Sequence, residues 1–208
     1  MAAARRKGDR PYHHGDLRAA LVAAAEAELI EKGVDGFSLR SAARRAGVSH
    51  AAPAHHFRDT KALLDALAGA GFARLGDAMR EEQAGAGAEA MARLAAAGAA
   101  YVRFALANPE LFGLMYARSR RADAGGDLKR NSEAIFSLLV NAIGAIRGRD
   151  AFRSDAGWRD AVACWSMLHG YAQLAIAGKM EFATALEFKE QRPLIEELVG
   201  RALRERHS

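Results

Sequence analysis

The chain has 208 residues, a formal net charge of +5, and hydrophobic side chains at half of its positions. That is one large domain or two small ones with enough apolar material for a core, which excludes a wholly disordered chain. With Cys164 as the one cysteine, an intramolecular disulfide is excluded and a cysteine-based zinc cluster has no basis. Apolar stretches fall short of the roughly 18 uncharged residues of a membrane span. No apolar run follows Arg5, Arg6, Lys7 and Arg10 as it would in a secretory signal, so the expected compartment is the cytoplasm.

The positive charge is concentrated early. Arg5, Arg6, Lys7 and Arg10 are offset only by Asp9, and Arg40, Arg44, Arg45, Arg58 and Lys61 only by Asp59. A basic first third on a chain that is slightly acidic elsewhere points to a polyanion partner. The plainer alternative is a solvated tail and a solvated helix face.

The residues predict helix almost throughout. Ala, Leu, Glu and Arg dominate, and no period-2 alternation persists, so the fold class is all-α with about nine helices. Asp16 is placed to cap a helix from Leu17, with Leu17, Leu21, Ala25 and Leu29 as its apolar stripe, widened by Val22 and Ile30. Gly33 ends it, and residues 34–37 form a turn. Ser38 caps a short helix over 39–46, closed by Gly47 in the left-handed conformation. Ser49 caps another short helix over 50–56. Asp59 caps a longer one reaching about residue 79.

Residues 81–90, rich in Gly and Ala, are expected to form a loop. Helices follow near 89–107, 109–118, 127–147, 155–178 and 192–206, with loops at 120–126 and 180–190. Asn108, Pro109 and Glu110 read as cap, first-turn proline and first-turn acid. The expected organisation is a basic arm over 1–14, a three-helix unit over 15–75 and a helical domain over 81–208.

Residues 38–57 carry the strongest pattern. Two short helices joined by a glycine turn, anchored by Leu39, Ala42, Ala43, Val48 and Phe57, form a helix-turn-helix. Gly47 supplies the positive φ of the turn. Ala42 and Ala43 are small enough for a close crossing. His50, Ala51, Ala54 and His55 would face outward, where a major groove could lie.

These residues carry a resemblance to a known family. Leu29-Ile30-Glu31-Lys32-Gly33, Phe37-Ser38-Leu39, the run from Ala42 to Ser49, His56-Phe57 and Ala62-Leu63-Leu64 resemble the DNA-binding domain of TetR-family bacterial regulators. Tyr12 to Leu17, Asn108 to Phe112 and Trp165 to Gly170 resemble one branch of it, with a Trp-His-Gly signature in the C-terminal domain. The resemblance implies DNA contacts from Arg5, Arg6, Lys7, Ser38, Arg40, Arg44, Arg45, Ser49, His50, Ala51, Ala54, His55, His56, Arg58, Thr60 and Lys61. The sequence departs from the family pattern twice. Ala54 stands where members usually carry Tyr, and Thr60 where they usually carry Lys. Arg58 or Lys61 would stand in for the lysine, and the basic arm could compensate in the minor groove.

The resemblance further implies a homodimer on a palindromic operator. Helices near 155–178 and 192–206 would form a four-helix interface, with Leu194, Ile195, Leu198, Val199 and Leu203 as its apolar stripe. Packing within one subunit is the alternative use of that stripe. It also implies a small apolar effector in a pocket drawn from Phe104, Phe112, Met115, Tyr116, Phe136, Trp165, His169 and Tyr171. Core packing is the competing use of each.

Other chemistries are weaker. His13-His14 and His50, His55 and His56 lack a carboxylate or cysteine at ligand spacing, so no metal site is expected. Ser166 and His169 lack an orienting acid, and Gly85-Ala86-Gly87 lacks the rest of a nucleotide motif, so neither enzyme chemistry nor a cofactor is expected. A helical adaptor using the same basic surface on an acidic protein is the alternative function.

Overall fold

The computed structural model describes residues 14–121, 123–148, 150–181 and 188–203, with only the backbone of 14–16, 188 and 189. Among the described residues are eight α-helices, one short 3₁₀ helix and no strand. The helices are α1 (His14–Lys32), α2 (Leu39–Arg45), α3 (Thr60–Gly85), α4 (Ala90–Ala107), α5 (Pro109–Ser119), α6 (Gly126–Arg147), α7 (Asp155–Ile176) and α8 (Phe188–Ala202). The 3₁₀ helix spans Ala52–His55. The chain divides into two compact units, one up to Leu67 and one from Ala68.

In the first unit the predicted stripe of α1 is the buried one: Leu17, Leu21, Ala25 and Leu29 lie in the core. Two details differ from expectation. The helix begins at His14, so residue 16 lies inside it and not before it. Ile30 points to solvent, because the stripe continues through Glu28 and not toward residue 30.

The ends of α2 follow from single residues. The Ser38 hydroxyl accepts the Ser41 N–H at 3.0 Å, satisfying one of the orphan donors of the first turn. At the other end Val48 N–H bonds the Ala43 carbonyl and Gly47 N–H the Arg44 carbonyl, both at 3.1 Å. That pairing is a Schellman motif, and Gly47 at φ +71° supplies its left-handed residue. Asp59 accepts the Ala62 N–H at 2.7 Å and so caps α3 as expected, with its own pKa lowered by that bond and by Arg58.

In the second unit α4 is the central helix, packing against α5, α6, α7 and α8. It is long and apolar enough to match a membrane span, but its buried residues, from Leu94 to Ala105, are those of a core helix. Its alanines allow close approach. A Cβ on Gly98 would lie 3.2 Å from Leu168 of α7 and 3.4 Å from Val199 of α8.

Several boundaries move from their predicted places. α3 continues to Gly85, absorbing half of the predicted loop. Glu81, Glu82 and Gln83 are good helix formers, and Glu82 receives Arg103 at 2.7 Å and Arg192 at 3.3 Å. Glu89 caps α4, accepting the Met91 N–H at 2.9 Å. Asn108 does not cap α5 with its side chain: its amide donates backward to the Phe104 carbonyl at 2.9 Å and so closes α4. Ser154 caps α7 through the Ala156 N–H at 3.4 Å. α8 starts at Phe188, not 192, and contains Pro193; its predicted end at 206 lies outside the described residues.

Candidate functional site

The segment after Gly47 is not the α-helix expected over 50–56. An α-helix capped by Ser49 would need the Pro53 N–H to reach the Ser49 carbonyl, and proline has none. The chain instead takes i to i−3 bonds. Ala52 N–H bonds Ser49, Ala54 N–H bonds Ala51, and His56 N–H bonds Pro53, at 3.1, 3.2 and 2.9 Å. Pro53 and Phe57 are buried and pin the segment to the unit, and Arg18 lies over the Phe57 ring at 5.5 Å. Ser49, His50, Ala51, Ala54 and His55 are exposed; His56 is half-buried. The anchoring thus survives, and the outward set survives, on a tighter turn.

The basic residues separate into two groups. Arg40 and Arg44 are exposed, with no ion-pair partner among the described residues. Arg45 turns back to α1. Its Nε meets the Glu28 carboxylate at 2.7 Å, and its Nη2 pairs with Glu31. Of the described basic residues expected to meet DNA, Arg45 is thus the one whose guanidinium is held by two carboxylates of its own chain. The stand-ins for the missing lysine are paired as well, Arg58 with Asp59 at 3.2 Å and Lys61 with Asp65 at 3.4 Å. Ser38 is occupied as a cap, and Thr60 is the first residue of α3. Arg5, Arg6 and Lys7 lie outside the described residues.

In the second unit a narrow cavity of about 40 Å³ lies between α3, α4, α6 and α7. Met79, Leu94, Ile135, Phe136, Leu139 and Trp165 are among its walls, and Tyr101 closes one side. Behind Tyr101 sits a hydrogen-bonded triad. The Tyr101 hydroxyl lies 2.8 Å from that of Tyr116 and 2.8 Å from Nδ1 of His169. Burial pushes Tyr116 up to about 12 and Tyr101 further, while burial and the Arg120 charge lower His169, so all three are neutral near pH 7.

Of the eight predicted pocket residues, Phe136 and Trp165 line the cavity. Phe112, Tyr116 and His169 form the aromatic cluster that Tyr101 joins to it. Phe104, Met115 and Tyr171 are core residues away from it: Arg74 lies over Phe104, and Met115 packs on Gly71 of α3.

A family profile described as bacterial regulatory proteins, tetR family, matches residues 21–67. The tetracyclin repressor-like C-terminal domain matches residues 94–201, more than half of the chain. The chain belongs to the TetR family. Regulators of this family bind DNA and act as dimers, and they are generally not enzymes. A solved protein of unknown function from Rhodococcus sp. RHA1 is 40% identical, covering 95% of this chain and 100% of its own, with a TM-score of 0.80. A TetR family transcription regulator from Marinobacter aquaeolei VT8 shares the fold at 20% identity and a TM-score of 0.68, over 90% of this chain and 95% of its own. So does the fatty acid degradation regulator FadR from Bacillus halodurans, at 13% identity and a TM-score of 0.67, over 89% and 99%. No curated protein matches the chain.

In this TetR chain the predicted interface stripe packs in part within the protomer. Ile195, Val199 and Leu203 are buried inside the protomer, where α8 packs on α4 and α7; Leu194 and Leu198 are half-buried. Among the described residues, the large apolar side chains left exposed in that part of the TetR fold are on α7: Trp158, Val162, Trp165 and Leu174. Phe136 and Phe152 support Trp158 from within, by stacking and by an edge contact.

Sequence reasoning missed Glu28 and Tyr101. Glu28 is 1% exposed, a rare state for an acid, and its place seven residues after Leu21 on the α1 stripe was the available signal. Lys32 at 2.6 Å and Arg45 lower its pKa from 4.5 to about 2. The folded pKa lies below the unfolded one, so this contribution to stability is complete above 4.5 and lost as the pH falls toward 2. The melting temperature of the wild-type chain is expected to fall more steeply through that window than that of Glu28→Gln. Parallel curves would contradict the assignment.

Proposed function

We propose that this TetR regulator is a ligand-responsive repressor that reads a palindromic operator as a homodimer in the cytoplasm. The observation that carries the reading is the Gly47 turn, which presents His50, Ala51, Ala54 and His55 to solvent on a segment anchored by Pro53 and Phe57. Arg40 and Arg44 stand exposed on the preceding helix, suited to phosphates that set register without carrying sequence information. One such segment reads too few base pairs to find an operator. Two of them, about 34–36 Å apart on a symmetric dimer, match the half-sites of a palindrome. The exposed face of α7 supports a dimer built on that helix.

The cavity supports a small uncharged apolar effector, because no charged side chain lines it among the described residues. At about 40 Å³ it admits such a molecule only if side chains of α3, α4, α6 and α7 move. α3 runs from the first unit into the second and contributes Met79 and Gln83 to the cavity. An effector lowers DNA affinity only through its different affinity for the two states of the dimer. Trp165, His169 and Gly170 keep the Trp-His-Gly branch as the favoured finer placement.

Selection from a random duplex pool tests the reading. It is expected to enrich a two-fold symmetric site, and recovery of unrelated sequences would support the adaptor function instead. On the selected site, His55→Ala is expected to relax base preference at one position per half-site, at about 1–3 kcal/mol. Equal weakening on every duplex would remove His55 from base readout.

A further inference from the structure

We propose that Arg45 is a positioning residue: clamped by the buried Glu28, it fixes the end of α2 and so aims the DNA-reading segment without itself touching DNA. This rests on the reading above, that residues 50–56 meet the duplex. Glu28, Glu31 and Lys32 occupy one face of the last turns of α1, at i, i+3 and i+4 spacing. Glu28 takes Lys32 at 2.6 Å and the Arg45 Nε at 2.7 Å, and the second arm of the guanidinium reaches Glu31. The planar fork of arginine can hold two carboxylates at once, which a lysine cannot do in the same geometry.

Arg45 is the last residue of α2. The Schellman turn follows at once through Ala46, Gly47 and Val48, and the exposed reading residues start two positions later. A tilt at Arg45 is therefore carried directly into the reading segment. Arg44, its neighbour, points to solvent with no carboxylate partner among the described residues. Adjacent arginines thus divide the work: one faces the chain, one faces outward.

Salt dependence separates the two roles, because a lost phosphate contact lowers the slope of log K against log salt by about 0.9. Binding of each full-length variant is measured, below its melting temperature, on the palindrome selected by the wild type and on a scrambled duplex. Arg44→Ala is expected to lower the slope by about two per dimer, one contact per subunit, on both duplexes. Arg45→Ala is expected to leave the slope unchanged and to cut the palindrome-to-scrambled ratio at least tenfold. Arg45→Lys, which keeps the charge and the fold, should lose most of the same ratio. Glu28→Gln should reproduce that loss with Arg45 intact, and Glu28→Gln with Arg45→Met should restore part of it.

A slope drop in Arg45→Ala would make Arg45 a phosphate contact and overturn the proposal. So would an unchanged ratio accompanied by a lower melting temperature, the mark of a purely structural pair. If the wild type itself shows no preference for the palindrome, the DNA-reading function fails, independently of the clamp.

Discussion

Replacing Val162 with glutamate is expected to dissociate the dimer and, with it, tight operator binding. Val162 is 62% exposed in the protomer, and its i−4 and i+3 neighbours on the same face of α7 are the exposed Trp158 and Trp165. A face of that kind needs a partner. In a two-fold interface the substitution is made twice, so two carboxylates are desolvated without counter-charge. A buried unpaired charge costs about 3–5 kcal/mol. That weakens dimerisation by at least about a hundredfold. The protomer itself should be unaffected, since residue 162 already faces water. Sedimentation equilibrium should show a monomer with unchanged helicity, and operator binding should fall with it. A Val162→Glu chain that remains dimeric would move the interface off α7.

Phe112→Ala is expected to be the most destabilising single substitution in the effector domain. Phe112 is fully buried and touches three aromatic partners: Tyr101 edge-on at 5.5 Å, Tyr116 at 5.0 Å and His169 at 5.6 Å between ring centroids. Truncating a phenylalanine in such a place costs about 3–5 kcal/mol, through lost transfer energy and the cavity left behind. For a chain of this size that lowers the melting temperature by roughly 10 °C. Phe104 is the control. It lies at the edge of the core, 9% exposed, with Arg74 over its ring, so alanine there should cost less. Equal costs at the two positions would show that Phe112 is not the centre of the cluster.

What was legible in the sequence was local. Ser38 as a cap, Gly47 at positive φ and the Leu17–Leu29 stripe each depend on neighbours within one or two turns, and each stands as read. Pro53 was visible, but its effect was not drawn: a missing N–H at the fourth position of a short helix removes the first bond of its ladder. Arg45 looked like Arg44 because a sequence does not show which arginine finds a buried acid. The stripe Ile195, Val199 and Leu203 has the same periodicity whether it meets its own chain or a second copy, and its burial against α4 and α7 is visible only in the packed chain. Tyr101 was hidden among the alanines of α4, and its place beside Tyr116 and His169 exists only after three helices have packed.

Reading of DNA by a pair of these chains, through the segment beyond Gly47, is open to a direct test. The most direct measurement is equilibrium binding to the selected palindrome and to a scrambled duplex across a salt series, with stoichiometry. Two chains per palindrome, a steep log–log loss of affinity with salt on both duplexes, and a preference for the palindrome of about a thousandfold or more at physiological salt are expected. One chain per duplex, or equal affinity for the two sequences at every salt concentration, would contradict that reading.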